Sequence, residues 1–172
     1  MQLLKEAAPN VSRLLYLPTR GNGTYQRSIE AAAQAFAVEL VTIPATDAAG
    51  VKSAIESFAT KPNGGLLPNP GILSAAVQRE LIRLAEQYRL PTITGFRSFA
   101  ANGALMSYDS DNSQDVRGAA SYVARILHGV KVGELPVQYP TTFRLVVNLK
   151  AANAIGLTIP PHLLALADEV VE

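Results

Sequence analysis

The feature that most constrains this chain is an alternation: short, unbroken apolar runs are separated by segments whose apolar residues recur at helical spacing. A strand buried on both faces reads as continuous hydrophobic sequence, and such strands belong to parallel sheets covered by helices. Val11 to Leu17 is a run of this kind, stopped by Pro18. It leads through Thr19-Arg20-Gly21-Asn22-Gly23 into a helix predicted from about Thr24 to Ala37, with Ile29, Ala33 and Phe36 on one face. Val38 to Pro44 reads as a second strand. Asp47 is then a helix N-cap, its carboxylate placed to accept from first-turn amides, ahead of Val51, Ile55 and Phe58 at i, i+4 and i+7. Pro62-Asn63-Gly64-Gly65 reads as the end of that unit, and Leu66-Leu67 as a short third strand before Pro68-Asn69-Pro70-Gly71.

A helix from about Ser74 to Arg89 carries Val77, Leu81, Leu84 and Tyr88 in register. Leu90 to Phe96 is a fourth strand, because proline is tolerated at a strand's start, and Ala104 to Tyr108 is a fifth apolar run. Asp111-Asn112-Ser113 offers caps for a helix from about Gln114 to His128, with Val116, Ala120, Val123 and Leu127 on the side expected to be buried and Gly129 as its stop. Phe143 to Asn148 is the last strand, followed by a small-residue helix near Lys150 to Ile155 and a terminal helix from Leu163 to Val171. The expected architecture is α/β, with three layers: a parallel sheet flanked by helices.

Composition excludes whole classes of function. A chain of 172 residues, 48% hydrophobic, buries a core without metals or disulfides. With no cysteine, disulfide frameworks, thiolate metal sites and cysteine nucleophiles all fall away. Fifteen basic residues are scattered among 14 acidic ones, so there is no basic stripe for nucleic acid or an anionic membrane. No apolar run approaches the roughly 18 residues of a membrane span, and the first residues meet acid and proline before a signal-peptide core forms.

Enzyme signatures fail one by one. Gly21-Asn22-Gly23 continues to Gln26 where a dinucleotide loop needs glycine, and neither a phosphate-binding Gly-Lys-Ser/Thr nor a Gly-x-Ser-x-Gly nucleophile turn is present. His128 ends a helix and His162 follows two prolines, and both read as surface residues. No catalytic constellation, cofactor motif or metal-ligand set emerges. Open α/β sheets bind ligands beyond the carboxyl ends of their strands, and there this chain places Arg20, Asn69, Phe96, Arg97, Tyr108 and Asp109. Hydrogen-bonding side chains with an aromatic or two suit a preformed small-molecule pocket, which needs no reactive group. The planar fork of Arg97 matches a ligand carboxylate, the alternative being a surface ion pair. Phe96 and Tyr108 read equally as core aromatics.

Longer stretches point to a family. Leu3 to Arg13, Pro62 to Leu66, Gly103-Ala104-Leu105-Met106-Ser107-Tyr108, Leu135 to Gln138, Val147 to Ala152, Ala154 to Pro160 and Leu164 to Val170 resemble, in order, the ABC-transporter substrate-binding proteins of the tryptophan/tyrosine-binding type. The resemblance covers only the later part of such proteins, which have a signal peptide and a complete first lobe ahead of it. It implies a type I periplasmic binding protein fold, in which two α/β lobes close on a ligand. Residues 1–102 then correspond to the second lobe, 103–135 to a crossing segment and helix toward the first lobe, and 136–172 to the return strand and C-terminal helices.

The resemblance thus implies a solute-binding component, or its C-terminal lobe, that takes a small metabolite such as an aromatic amino acid to an ABC permease in the periplasm. No cofactor, metal or nucleic acid is implied. A lobe standing alone exposes apolar surface, so a homodimer or domain-swapped pair is expected. Two other readings stay open: a truncated, non-transport remnant or interaction domain, and a Rossmann-like enzyme.

Overall fold

In the computed structural model, which describes residues 1–18, 23–45, 47–69 and 74–172, the chain starts with α1 (Gln2–Ala7), burying Leu4 and Ala7, and enters the central strand β1 (Arg13–Leu17). Helix α2 (Gly23–Ala35) leads to β2 (Glu39–Thr42), and α3 (Ala48–Phe58) to β3 (Gly64–Pro68). Then come α4 (Ala75–Gln87), β4 (Ile93–Thr94), α5 (Arg97–Ala101), β5 (Met106–Ser110) and α6 (Asn112–Leu127). The chain closes with β6 (Phe143–Asn148), α7 (Leu149–Ala154), α8 (Pro161–Leu166) and β7 (Glu169–Val171).

Strands β2-β1-β3 form one parallel sheet and β4-β5-β6-β7 another, parallel except for the β5–β6 pair. A bridge between Leu66 and Thr92, with the Leu66 amide donating to the Pro91 carbonyl at 2.8 Å, joins the two into one layer. Alternation along β1 sends Leu15 and Leu17 to one core and Leu14 to the other. The first core holds Val51, Ile55 and Phe58 of α3, Leu81 and Leu84 of α4, and Phe99 of α5. The second holds Leu4, Met106, Val147 and Leu163, under α1, α7 and α8. The expected three-layer α/β architecture is therefore the observed one. Asp47 caps α3 as expected, accepting from the Gly50 amide at 2.7 Å, and Gly129, at φ 93°, follows the end of α6.

Strand β4 keeps only Ile93–Thr94 of the expected Leu90 to Phe96, the short helix α5 follows it where the sequence reading has none, and three further elements differ in ways that matter for the packing. Strand β3 is longer than Leu66-Leu67, because Gly64 and Gly65 belong to it and not to the preceding turn. A Cβ on Gly64 would lie 2.6 Å from Phe58 Cε1, so glycine is there to let the α3 ring close over the strand. The terminal helix stops at Leu166 instead of reaching Val171: Asp168 accepts the Leu145 amide at 2.8 Å, and the β-branched Val170 and Val171 continue as a strand beside β6. Most consequentially, α6 buries none of its residues. Val116, Val123 and Leu127, expected inward, are 68%, 56% and 80% exposed. The helical periodicity is real, but the surface it matches is not supplied by the rest of the described chain.

Candidate functional site

Because β1, β3, β4 and β5 run parallel, their carboxyl ends share one edge. Strand β6 is antiparallel to β5 and β7 follows β6, so the amino ends of these two strands reach the same edge. The edge is thus built from the end of β3 at Asn69, the β4–α5 turn at Phe96 and Arg97, Tyr108 to Ser110 on β5, Phe143 and Arg144 on β6, and Glu169 on β7. Arg20 lies outside the described residues.

Asn69 is half-buried, and its amide donates to the Leu17 carbonyl at 3.1 Å, tying β3 to β1 where both strands end. Phe96 precedes α5 and is 40% exposed, so it is not a core aromatic. Tyr108 is likewise exposed, and its ring stacks on that of Phe143 at a centroid distance of 5.5 Å with 15° between the planes. This is a diagonal pair, since Tyr108 stands opposite Leu145 in the ladder and Phe143 opposite Ser110.

Arg97 makes the bidentate contact its geometry favours, but with a carboxylate of this chain: Nε to Glu169 Oε2 at 2.7 Å and Nη2 to Oε1 at 2.5 Å. The hydrogen bonds from Arg97 hold the Glu169 carboxyl below the usual carboxylate range, and those to Glu169 push the Arg97 guanidinium upward. Asp111 caps α6 by accepting the Ser113 amide at 3.0 Å and also meets Arg144 Nε at 3.3 Å; the Ser113 hydrogen bonds, then Arg144, lower its pKa. Asp109 accepts only the neighbouring Ser110 amide, at 2.8 Å, and forms no ion pair among the described residues.

Phe96, Arg97, Asp109 and Arg144 stand around a hollow of about 170 Å³ with Ser107 and Val146 in its lining. Next to Ser107 in the ladder is Thr94, 2% exposed, whose hydroxyl has no hydrogen-bond partner among the described residues. A larger hollow, about 480 Å³, opens at the opposite edge beside Leu105 and Asn148; there Asn148 is committed to fold contacts, donating to Ala100 O and accepting from the Ala151 amide. Among the described residues no group of three His, Asp or Glu side chains is placed to hold a metal ion, and no helix is long and apolar enough to cross a membrane.

The family model for ABC transporter substrate binding proteins matches residues 1–171. This chain belongs to that family. Among solved structures, a conserved domain protein from Vibrio cholerae O1 biovar El Tor is 30% identical with a TM-score of 0.86, covering 98% of this chain and 58% of its own. An ABC domain in complex with L-Trp from Streptococcus pneumoniae has a TM-score of 0.85 at 20% identity, covering 99% of this chain and 58% of its own. A ligand-free, open substrate binding protein with adhesive properties from Clostridium difficile has a TM-score of 0.75 at 19% identity, again over 99% and 58%. No curated protein matches the sequence. As a substrate-binding family member, the chain spans 58% of the length of these solved relatives, and the remainder of each has no counterpart in it.

Sequence reasoning missed Phe143, Arg144 and Glu169 at the edge. Ligands of open α/β sheets gather at the loops after strands, whereas an antiparallel strand brings its beginning to the same place. The sign reversal of β6 has no local sequence signal, so only the ladder itself reveals these residues.

Proposed function

We propose that this chain is the second, ligand-gripping lobe of a solute receptor for an ABC importer, and that it binds a small metabolite such as an amino acid without chemical change. The observation that carries the reading is the coincidence of two uncovered features at one end of the sheet. The aromatic and charged edge around Phe96, Tyr108 and Asp109 is open, and β5 runs from that same edge into α6, which buries nothing. Eight of the 14 large apolar residues exposed among the described residues fall between Val116 and Phe143. In this reading residues 1–102 are the lobe, 103–135 cross toward a partner lobe, and 136–172 return, so that the cleft lies at the carboxyl edge.

The bound solute is a small metabolite such as an aromatic amino acid, in keeping with the L-Trp complex of the pneumococcal relative. Membership of the substrate-binding family supports an ABC permease as the partner and a periplasmic location. Closure depends on contacts from both lobes, so the 172-residue chain by itself binds weakly, with a dissociation constant above the micromolar range. Its bare apolar arm favours a homodimer or a swapped pair.

Titrating the labelled chain with L-tryptophan tests this. Amide shifts that saturate at Asn69, Phe96, Arg97, Tyr108 and Asp109 are expected; shifts confined to the opposite edge around Leu105, or conversion of the added ligand, would overturn the reading.

A further inference from the structure

Charge at the edge is distributed unevenly. Three carboxylates, Asp109, Asp111 and Glu169, face two guanidiniums, Arg97 and Arg144. Both guanidiniums are committed: Arg97 to Glu169 through two hydrogen bonds, Arg144 to Asp111 at 3.3 Å. Arg144 stands directly opposite Asp109 in the β5–β6 ladder, the position from which a cross-strand ion pair forms most readily, yet its side chain turns to Asp111 instead. Asp109 keeps one oxygen on the Ser110 amide, and its other oxygen has no partner among the described residues.

We infer that the hollow beside Phe96 is an amine subsite, in which Asp109 receives the protonated ammonium group of the solute. The inference rests on the solute-binding reading and narrows it to a ligand class: cationic amines with a flat apolar body. A carboxylate closes an N⁺–H···O⁻ contact with an ammonium at hydrogen-bond distance, and such charge-assisted bonds are the strong ones. At about 170 Å³ the hollow holds an aminoethyl end with a water or two, at about 30 Å³ per water, but not an aromatic amino acid entire. The apolar body therefore lies outside it, against the exposed Phe96 ring, whose face also attracts a nearby cation. A metal ion does not suit the place, since no three ligating side chains converge there among the described residues. Nor does a ligand carboxylate, because the guanidiniums in the lining are neutralised within the chain.

Tryptamine and indole-3-propionate separate the possibilities, since they share the ring and carry opposite charges. Titrated into the full chain and followed by amide shifts, tryptamine is expected to bind about tenfold tighter than indole-3-propionate, tenfold being about 1.4 kcal/mol. Its largest shifts are expected at Phe96, Ser107 and Asp109. Asp109→Asn abolishes that preference, while Asp109→Glu, with the charge restored one methylene further out, recovers part of it; unchanged circular dichroism shows that each variant is folded. Equal binding of the two probes, or tryptamine binding unaltered in Asp109→Asn, overturns the amine subsite and leaves the solute-binding reading standing. If neither probe nor L-tryptophan moves the edge resonances, the solute-binding reading fails, and the amine subsite with it.

Discussion

Arg97 and Glu169 lie 72 residues apart in sequence and close a two-point ion pair that fastens the start of α5 to the start of β7. Arg97 is largely in solvent and Glu169 is half-buried at the surface, so the pair orients the edge more than it stabilises the fold. Glu169 is nevertheless held below its ordinary range by Arg97. A carboxyl depressed in the folded state contributes stability above its unfolded value, about 4.3 for glutamate, and that contribution is lost as the pH falls through the folded value. Glu169→Gln is therefore expected to lower the urea midpoint slightly at pH 7 and to match the native chain at a pH below the folded value. A gap of equal size at both pH values would show that the charge on Glu169 is not what the substitution removes.

Of the described glycines, Gly64 has the least room for a side chain. Any side chain there meets Phe58 at 2.6 Å and Leu90 Cδ2 at 3.0 Å, and the Phe58 ring is itself pinned beneath the Arg13 guanidinium, 4.4 Å from its centroid. Overpacking of this kind costs about 1–3 kcal/mol. Gly64→Ala should show that loss in urea denaturation, while Gly129→Ala, with open space around it, should pay only for its positive φ.

The elements that were legible from sequence are those whose own residues settle them. Val51, Ile55 and Phe58 point inward because their spacing and the Asp47 cap both specify α3. Gly64-Gly65 misled because glycine marks a turn and a close approach equally well, and only the position of Phe58, from another element, distinguishes the two. The helix α6 misled in the opposite way: an amphipathic pattern shows that a face is meant to be covered, not by what. At the candidate site, the residues after parallel strands were readable, but Phe143 and Glu169 reach the edge through strand direction, a non-local property.

The contrast between α4 and α6 can be measured directly. Leu81 is fully buried in the first core and Leu127 is 80% exposed, though both occupy apolar positions of amphipathic helices. Leu81→Ala should cost about 2–5 kcal/mol in unfolding free energy, and Leu127→Ala less than about 0.5 kcal/mol. If the bare arm mediates association, replacing Val123 and Leu127 by serine should shift light-scattering mass toward the monomer at a concentration where the native chain is paired. A native chain that is monodisperse and monomeric at high concentration removes that expectation.

Thr94 supplies the last test, because a buried hydroxyl without a partner is costly to the fold. It is 2% exposed at the end of β4, beside Ser107 in the ladder, and its Oγ1 makes no hydrogen bond among the described residues. Exchanging the hydroxyl for a methyl of the same shape removes the desolvated polar atom and leaves no void. Thr94→Val is accordingly expected to raise the unfolding free energy by about 1 kcal/mol, read as a higher urea midpoint with an unchanged m-value. The sign decides the matter: a drop in stability would mean that the hydroxyl is satisfied in the folded chain, and that the polar floor of the edge is part of the core rather than a surface kept for a ligand.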